Sequence, residues 1–320
     1  MNGLAIFAGN ANQALAKKIC DFLHVSLTQV MVGRFSEGEI RVQIEENIRG
    51  KDVFIVQPTC PPVNENLMEL LIMMDAARRA SAKRITAVLP YYGYARQDRK
   101  DQPRVPITAK LVANLIVAAG ADRVLTMDLH ASQLQGFFDI PVDHLYAIKV
   151  LCDYFLEKED IDKKKLVVVS PDVGGVKMAR AYSKRLGALL AVVDKRRLSP
   201  ESTEVMHILG AVKGRTAIMV DDIVATAGSL SEAAAALQDQ GVTEVYAAVS
   251  HGILSGSALD RIHDCKVLKE VVISDSIPFN KDLKKYPKIK VVSVASLLAE
   301  AIQRIHNEES ISCLFDEIKN

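Results

Sequence analysis

Short apolar runs that alternate with segments of helical periodicity organise this sequence. In the first half the runs lie at residues 53–56, 85–89 and 124–127, and helical segments are predicted at 65–80 and 108–119. Strands that alternate with helices are typical of a parallel sheet covered by helices. The pattern therefore predicts an α/β fold.

The same pattern begins again in the second half of the chain. Apolar runs lie there at residues 166–169, 189–193, 217–220, 245–249, 271–273 and 291–294, and helices are predicted at 175–186, 231–240 and 296–306. A chain of 320 residues is long enough for two domains of ordinary size. We expect two tandem α/β domains, 1–147 and 148–320, joined near residues 147–164.

Charge and cysteine content exclude several classes of protein. Lys and Arg number 40 against 39 Asp and Glu, so the net charge of +1 gives no global signal for nucleic-acid binding. The first residues, MNGLAIFAGN, do not resemble a signal peptide, and no apolar run approaches the ~20 residues of a membrane span. Five widely spaced cysteines without a C-x-x-C pair indicate reduced, mostly buried thiols of a cytoplasmic protein.

One crossover of the second half carries an unusual set of polar residues. It spans residues 216–236, TAIMVDDIVATAGSLSEAAAA. An apolar run is followed by two aspartates, a loop of small residues and an Ala-rich helix. In open α/β sheets ligands bind at the carboxyl ends of strands, and a tight loop that enters a helix presents N–H groups to a phosphate. Gly228 permits close approach of the backbone, and Thr226 and Ser229 add hydroxyl donors.

The acidic pair of this crossover complements the phosphate loop. Asp221 and Asp222 can accept hydrogen bonds from vicinal sugar hydroxyls or help to hold a metal. A phosphate cradle beside a diol acceptor suits a ribose phosphate. The alternative is an ordinary strand–helix turn with solvated aspartates, and the double Asp followed by Thr-x-Gly-Ser favours the functional interpretation.

Two stretches of the first half suit a nucleotide. In RFSEGE, an adenine could stack on Phe35 and donate its amino group to Glu37, although an exposed turn is the simpler interpretation. In PYYGYARQDRK, Arg96 and Gln97 follow a strand and suit triphosphate and nucleobase contacts. Basic and aromatic residues together can also bind nucleic acid, but the patch is short and the net charge is neutral.

Two further strand ends carry residues suited to a metal and phosphate. Asp128 and His130 are two residues apart at a predicted strand end, which places both on one face. A lone histidine is usually structural, and His is an unusual ligand for Mg²⁺. Asp172, in SPDVGG, lies at the mouth of the predicted cleft, and the simplest interpretation of this residue is a helix N-cap.

The charge run VDKRRLSPE, residues 193–201, follows another predicted strand. Such a run is usually a solvated face. At this end of the sheet, however, a flexible lid with two cations could close over a transferring pyrophosphoryl group. Charge builds on the phosphoryl oxygens in such a transfer, and catalysis is mainly positioning and electrostatic stabilisation.

Taken in order, these stretches resemble the motifs of the class I ribose-phosphate pyrophosphokinases, also called phosphoribosyl diphosphate synthetases. The matching segments are RFSEGE, PYYGYARQD, MDLHASQLQGFFD, SPDVGG, DKRR and VDDIVATAGS, and the resemblance covers essentially the whole chain. It implies two tandem phosphoribosyltransferase-like domains, with ATP on the N-terminal side and ribose 5-phosphate on the C-terminal side. It also implies transfer of the β,γ-diphosphoryl group of ATP to the 1-hydroxyl of ribose 5-phosphate, which yields 5-phosphoribosyl 1-diphosphate and AMP.

The resemblance also implies a role for individual residues. The ATP-binding set is Phe35, Glu37, Gly38, Glu39, Arg96 and Gln97. The set for ribose 5-phosphate is Arg197, Asp221, Asp222, Ala225, Thr226, Ala227, Gly228 and Ser229. His130 and Asp172 are the implied Mg²⁺ ligands, and Lys195 and Arg197 the catalytic cations.

Assembly and regulation are implied less directly. The family resemblance suggests a homohexamer, with no nucleic-acid or membrane partner. The resemblance also suggests a regulatory site for phosphate or ADP between subunits. Its candidate residues are Lys100, Arg104 and the segment 307–312.

Two positions depart from the family pattern: Glu37 stands in place of the commoner Asp, and the second departure, at Ala225, matters more. Ala225 stands where many relatives have Asp, which predicts a weaker interaction with ribose 5-phosphate. Two rival functions remain: a phosphoribosyltransferase, which the ATP-type motifs disfavour, and a non-enzymatic regulatory homologue, which the intact Lys195, Arg197, His130 and Asp172 disfavour.

Overall fold

A computed structural model of the chain describes residues 3–196 and 205–315. The chain divides into two compact units. The first comprises the residues up to 146 together with 276–278 and 293–315, and the second comprises 147–275 and 279–292. Each unit is an α/β structure, as the alternating pattern of the sequence predicts.

The first unit is built on a five-stranded parallel sheet. Its elements in the first half of the chain are β1 (Leu4–Ala8), α1 (Gln13–Leu23), β2 (Val30–Arg34), β3 (Ile40–Ile44), β4 (Asp52–Val56), α2 (Val63–Arg79), β5 (Arg84–Leu89), α3 (Thr108–Ala119), β6 (Arg123–Met127) and β7 (Val142–Leu145). The strand order is β1-β4-β5-β6-β7. Strands β2 and β3 form a separate antiparallel hairpin in which Val30 is opposite Ile44.

The second unit is built on a seven-stranded sheet. The remaining elements are α4 (Ile148–Glu157), β8 (Leu166–Ser170), α5 (Val176–Leu186), β9 (Leu189–Arg196), β10 (Val205–Leu209), β11 (Thr216–Val224), α6 (Gly228–Asp239), β12 (Glu244–Gly252), α7 (Ala258–Asp264), β13 (Leu268–Ser274), β14 (Ile289–Val292) and α8 (Ala295–His306). The strand order is β10-β9-β8-β11-β12-β13-β14, and only the pairing of β10 with β9 is antiparallel. The mostly parallel sheets that the sequence predicts are confirmed.

The two halves of the chain repeat one order of elements. Each runs strand, helix, two strands, strand, helix, strand, helix, two strands, helix, so that β4 corresponds to β11 and α2 to α6. The sequence signal for this repeat is faint because the loops differ. Helices α4 and α7 and strands β2, β7 and β10 are not among the elements that the sequence predicts.

The last helix of each repeat belongs to the other unit. Helix α4 lies in the second unit and α8 in the first, so a single boundary at 147/148 needs correction. The physical reason is the apolar face of α8, which packs against α1 and buries Leu298, Ile302 and Ile305. That burial ties a C-terminal segment to the N-terminal unit.

Each sheet carries its own apolar core. Leu70, Met73 and Met74 of α2 are fully buried in the first core, so the methionine-rich helix packs as predicted from its sequence. All five cysteines are free thiols, and Cys20, Cys60 and Cys152 are buried. Burial raises the pKa of Cys20 and of Cys60 to about 11, so both thiols stay protonated near neutral pH. Within the described ranges no helix is both long and apolar enough to cross a membrane.

Candidate active site

The carboxyl ends of β9, β8, β11 and β12 lie side by side in the second unit. These four strands are neighbours and mutually parallel, so their carboxyl ends share one edge of the sheet. The edge collects the start of the DKRR segment, the SPDVGG turn and the acidic crossover at β11. It is the position at which open α/β sheets bind ligands.

The acidic pair lies inside β11 rather than after it. The apolar run predicts a strand that ends at Val220, but β11 continues to Val224 because it keeps pairing with β12, with Asp221 opposite Val249 and Val224 opposite Gly252. Asp222 is buried and Asp221 is half-buried, and the backbone N–H of Asp222 donates to Oδ1 of Asp221 at 2.9 Å. The pair is therefore held rigidly by the sheet.

Negative charge is concentrated around Asp221. Burial is the largest cause that raises the pKa of Asp221, to about 8, followed by the charge of Asp222 and, more weakly, that of Asp172. A cation, or a hydroxyl group that donates a hydrogen bond, would relieve this repulsion. The site is electrostatically prepared for a diol or a divalent metal, and not for a bare phosphate at these carboxylates.

The phosphate loop is shorter than the sequence predicts. Helix α6 begins at Gly228, three residues before the predicted start, so the loop consists of residues 225–227 and Gly228 and Ser229 belong to the first helical turn. Ala227 takes the left-handed conformation with φ of 57°, which turns the chain into the helix. The first N–H groups of a helix have no acceptor within it, so this turn presents donors at its open end.

Hydrogen bonds from a neighbouring loop fix the carbonyl groups of this cradle. The N–H of Ser255 donates to the Ala225 carbonyl at 2.9 Å, and those of Ile253 and Leu254 donate to the Val224 carbonyl. Thr226 and Ser229 are exposed, so their hydroxyl groups are accessible to a ligand. The loop is a preformed cradle with its carbonyl groups already engaged.

Arg261 is a functional candidate that sequence reasoning missed. Its Nη1 donates to the Thr226 carbonyl at 2.9 Å and lies 3.4 Å from where a Cβ on Gly228 would be. This guanidinium adds positive charge beside the cradle. A single arginine in the short helix α7, 35 residues beyond Thr226, offers no motif by which the sequence alone could indicate it.

Hydrogen bonds within the loop that precedes α5 hold Asp172 in place. Its Oδ1 accepts from the N–H of Gly175 at 2.8 Å, just before α5 begins, while Ser170 Oγ donates to the Asp172 carbonyl at 2.7 Å. The side chain is nevertheless exposed, and its charge acts on Asp221 across the adjacent strands. A local turn therefore sets its position without burying the carboxylate.

Of the two predicted catalytic cations, Lys195 lies within β9. It is opposite Met206 of β10, so its backbone is fixed by the sheet. Arg197 lies outside the described residues. The sequence predicts a strand that ends at Val193 and a polar loop after it, but β9 continues to Arg196 because it pairs with β10.

In the first unit, the tip of the β2–β3 hairpin carries the RFSEGE segment. The N–H of Phe35 donates to the Glu39 carbonyl at 2.8 Å, and Gly38, with φ of 94°, permits the tight turn. The ring of Phe35 is 48% exposed, with the guanidinium of Arg41 5.7 Å from its centroid. Hydrogen bonds from its own backbone and from Ser36 lower the pKa of Glu37, which therefore stays ionised as an acceptor.

The turn after β5 holds Arg96 and Gln97 together on an exposed surface. Gln97 Oε1 accepts from the Thr108 hydroxyl at 2.5 Å, and its carbonyl accepts from the N–H of Ala109 at 3.1 Å. The aromatic residues of this segment are mainly structural, because Tyr91 and Tyr92 are buried. This arrangement does not resemble the exposed aromatic platform of a single-strand-binding protein.

Asp128 and His130 do not share a strand face. The prediction of a common face is wrong because β6 ends at Met127 and Asp128 adopts a left-handed conformation with φ of 39°. Asp128 is buried, whereas His130 is exposed. Only His130 is presented to solvent, and the buried aspartate contributes to the turn that carries it.

The described ranges contain no group of three or more His, Cys, Asp and Glu side chains arranged to hold a metal ion. This observation is compatible with a Mg²⁺ site, because Mg²⁺ usually keeps several water ligands and binds one or two carboxylates together with substrate phosphates. The crowded carboxylates around Asp221 provide oxygen donors of the right chemistry.

Comparison with known proteins assigns the family. The model of the N-terminal domain of ribose phosphate pyrophosphokinase matches residues 4–120, and that of the phosphoribosyl synthetase-associated domain matches residues 196–316. Ribose-phosphate pyrophosphokinases of Clostridium tetani and Rhizobium meliloti are each 56% identical to the chain over 313 residues, which is 98% of this chain and 97% and 100% of theirs. The chain belongs to the ribose-phosphate pyrophosphokinase family.

A solved structure gives the same result for the fold. The phosphoribosylpyrophosphate synthetase of Mycobacterium smegmatis is 42% identical and superposes with a TM-score of 0.89 over 96% of this chain and 100% of that one. The two α/β units therefore have the tandem architecture of ribose-phosphate pyrophosphokinases. The family match also covers both the hairpin tip of the first unit and the acidic crossover of the second.

Proposed function

We propose that this chain is a ribose-phosphate diphosphokinase. It transfers the β,γ-diphosphoryl group of ATP to the 1-hydroxyl of ribose 5-phosphate and releases 5-phosphoribosyl 1-diphosphate and AMP. The observation that carries the proposal is the identity of 56% with ribose-phosphate pyrophosphokinases over nearly the entire chain. The product is an activated sugar used in nucleotide biosynthesis.

Ribose 5-phosphate binds at the acidic crossover in this proposal. The cradle of residues 225–229 receives the 5-phosphate, because its N–H donors and exposed hydroxyl groups converge where a helix begins. Asp221 and Asp222 accept hydrogen bonds from the ribose hydroxyls. Donation by a hydroxyl to the crowded carboxylates offsets their mutual repulsion.

ATP binds through the two exposed elements of the first unit. The ring of Phe35 is available for stacking on adenine, and the ionised Glu37 accepts from the adenine amino group. Arg96 and Gln97, which a well-bonded turn presents together, contact the triphosphate and the base. Gly38 and Glu39 complete the hairpin tip.

The chemistry needs charge stabilisation more than a nucleophile from the protein. Lys195 and Arg197 stabilise the negative charge that develops on the transferring diphosphoryl group, as expected for phosphoryl-type transfer. Asp172 and His130 hold Mg²⁺, which supplies charge neutralisation on the phosphate oxygens when it is bound. Both side chains are exposed, so each is accessible to a cation, and the raised pKa of Asp221 reflects the negative charge of Asp222 and Asp172 beside it as well as burial.

Self-association into a homohexamer is the proposed assembly. The first unit exposes an apolar stripe on α3, where Leu111 and Leu115 are 55% and 39% exposed, beside Ile107. Exposed apolar surface of this kind favours a protein–protein contact. The same proposal includes a regulatory site for phosphate or ADP at Lys100, Arg104 and residues 307–312. It also includes a cytoplasmic location.

The deciding experiment measures AMP release from ATP and Mg²⁺ with and without ribose 5-phosphate. AMP should form only with the sugar phosphate, and Lys195→Ala should abolish its formation. Lys269→Ala, which removes an exposed lysine paired with Glu244 at 3.3 Å, is the matched control and should retain activity.

Two results would reject the proposal in favour of its rivals. Consumption of phosphoribosyl diphosphate that depends on a nucleobase would indicate a phosphoribosyltransferase. ATP binding without sugar-dependent AMP would indicate a non-catalytic homologue.

A further inference from the structure

The turn that carries His130 is held by two hydrogen bonds from the neighbouring strand β7. The N–H of Asp128 donates to the Leu145 carbonyl at 3.0 Å, and the N–H of Leu129 donates to Nε2 of His144 at 2.9 Å. The backbone at Asp128 is left-handed, a conformation that a non-glycine residue keeps only when its surroundings enforce it. The His144 side chain accepts from the residue immediately before His130.

The geometry defines the protonation state of His144. Because a backbone N–H can only donate, Nε2 must offer its lone pair, and the proton of the neutral ring is on Nδ1. Nδ1 lies 3.2 Å from Nε2 of Gln135, which also donates to the Ser132 carbonyl at 2.9 Å. His144 is 3% exposed and its ring lies 4.4 Å from that of Tyr146, which fixes its orientation.

We propose that His144 is a positioning residue for His130, acting through the backbone of Leu129. The inference rests on the proposed function, in which the exposed His130 contacts Mg²⁺ and ATP. His144 is buried and acts by fixing the turn at Asp128 and Leu129, so that His130 is presented in one orientation. Reactive groups lose effectiveness when their position shifts by as little as about 1 Å, which makes such an anchor functionally significant.

A purely structural role is the competing explanation. A buried histidine that only satisfies a backbone N–H would affect stability and leave the dependence of the rate on ATP unchanged. The two explanations predict different kinetics for a variant that lacks the acceptor alone. His144→Phe keeps a ring and withdraws the acceptor, whereas the side-chain oxygen of His144→Gln can replace Nε2 as acceptor.

A matched control exists at the opposite end of the same sheet. Asp122 Oδ2 accepts from the N–H of Ile85 at 2.8 Å, at the amino ends of β5 and β6. Asp122→Ala therefore also removes a side-chain acceptor from a backbone N–H. It should lower the Tm without altering the ATP dependence.

The test combines hydrogen exchange in the ligand-free protein with steady-state kinetics. In His144→Phe, amide exchange of the peptide that contains residues 127–131 should accelerate, and the KM for ATP at saturating ribose 5-phosphate should rise roughly tenfold. His144→Gln should restore both towards the wild-type values. If His144→Phe prevents folding, His144→Leu removes the acceptor with a smaller apolar side chain.

The outcomes separate this inference from the function on which it rests. Unchanged exchange and unchanged KM in a folded His144→Phe or His144→Leu variant overturn the positioning role, while the wild type still turns over. An equal rise of the KM in Asp122→Ala overturns it as well, because the effect would then be general destabilisation. A wild type that releases no sugar-dependent AMP rejects the proposed function, and the inference with it.

Discussion

The crossovers β4–α2 and β11–α6 occupy the same place in the two repeats, yet only one of them forms an open cradle. In β11–α6 three small residues lead into a helix that begins with Gly228 and has no acidic side chain in its first turn. In β4–α2 six residues lead into a helix that follows Pro62 and carries Glu65 in its first turn. A negative side chain at a helix N-terminus competes with an anionic ligand.

Internal hydrogen bonds fill the crossover of the first unit. Nδ2 of Asn66 donates to the Cys60 carbonyl at 2.8 Å, and the N–H of Gly93 donates to Thr59 Oγ1 at 2.6 Å. Nε2 of Gln57 donates to the buried carboxylate of Glu69 at 2.9 Å. These polar groups are engaged with the protein itself, so two crossovers with the same order of elements differ in loop chemistry, and the open one is the crossover to which we assign the phosphate.

The largest expected effect comes from closing the open crossover. In Gly228→Val the added carbons would occupy the space between Arg261 Nη1, 3.4 Å from an ideal Cβ, and Thr226 Oγ1 at 3.8 Å. We expect kcat/KM for ribose 5-phosphate to fall about 100-fold, or about 3 kcal/mol, because phosphate donors become inaccessible. The KM for ATP is the internal control, and an unaltered kcat/KM for ribose 5-phosphate would place the phosphate elsewhere.

A substitution that disturbs the β4–α2 crossover should lower the stability of the protein more than it weakens ligand binding. An ideal Cβ on Gly93 would lie 2.4 Å from the Thr59 carbonyl oxygen, so Gly93→Ala must displace backbone. We expect about 2 kcal/mol of destabilisation, measured by denaturant unfolding. Gly228→Ala is the matched control, since its nearest contact at 3.4 Å is the end of a flexible arginine. Equal loss of stability in both variants would contradict the contrast between the crossovers.

The acidic pair in β11 makes the stability of the folded protein depend on pH. An aspartate loses its proton near pH 4 in the unfolded chain and, for Asp221, near pH 8 in the folded one. The folded state therefore holds the proton longer, so the contribution of Asp221 to stability is full below about pH 4 and falls as pH rises to about 8. Without divalent metal, the Tm of Asp221→Asn should exceed that of the wild type by an amount that grows from pH 5 to pH 9.

Two comparisons complete the pH measurement. Asp239→Asn, at the exposed end of α6, is the control for the loss of a carboxylate outside the acidic pair. Added Mg²⁺ should raise the Tm of the wild type at pH 9 more than that of Asp221→Asn, because a cation compensates the carboxylates. A parallel pH profile for Asp221→Asn and the wild type would show that Asp221 is not the group responsible.

Local patterns predicted much of this structure, and contacts distant in sequence account for the rest. The prediction of α3 at 108–119 is confirmed to the residue because its periodicity is local. The extension of β11 through the aspartates depends on pairing with β12, and the placement of α8 depends on α1. Neither partner is visible in the segment itself.

In the candidate site, too, local patterns reveal some residues, and contacts distant in sequence determine the role of others. Motif residues such as Gly228 and Asp172 could be identified from their spacing along the chain. Arg261 and His144 act through single hydrogen bonds to residues 35 and 15 positions away. An isolated arginine or histidine carries no such information, and the left-handed backbone at Asp128 is equally invisible in the sequence.

The smallest expected effect concerns Ala225, which directly follows β11. The residue is half-buried and its carbonyl accepts from the N–H of Ser255, so Ala225→Asp should add a carboxylate without moving the loop. A charged hydrogen bond to ribose would favour binding by about 1.5 kcal/mol, but repulsion from Asp221 and Asp222 offsets part of it. We expect the KM for ribose 5-phosphate to fall about threefold with Mg²⁺ present. The Tm without ligand should fall because of the same repulsion. Ala225→Asn, similar in shape but neutral, should produce neither change, and a KM that is the same in Ala225→Asp and the wild type would show that Ala225 does not weaken the sugar site.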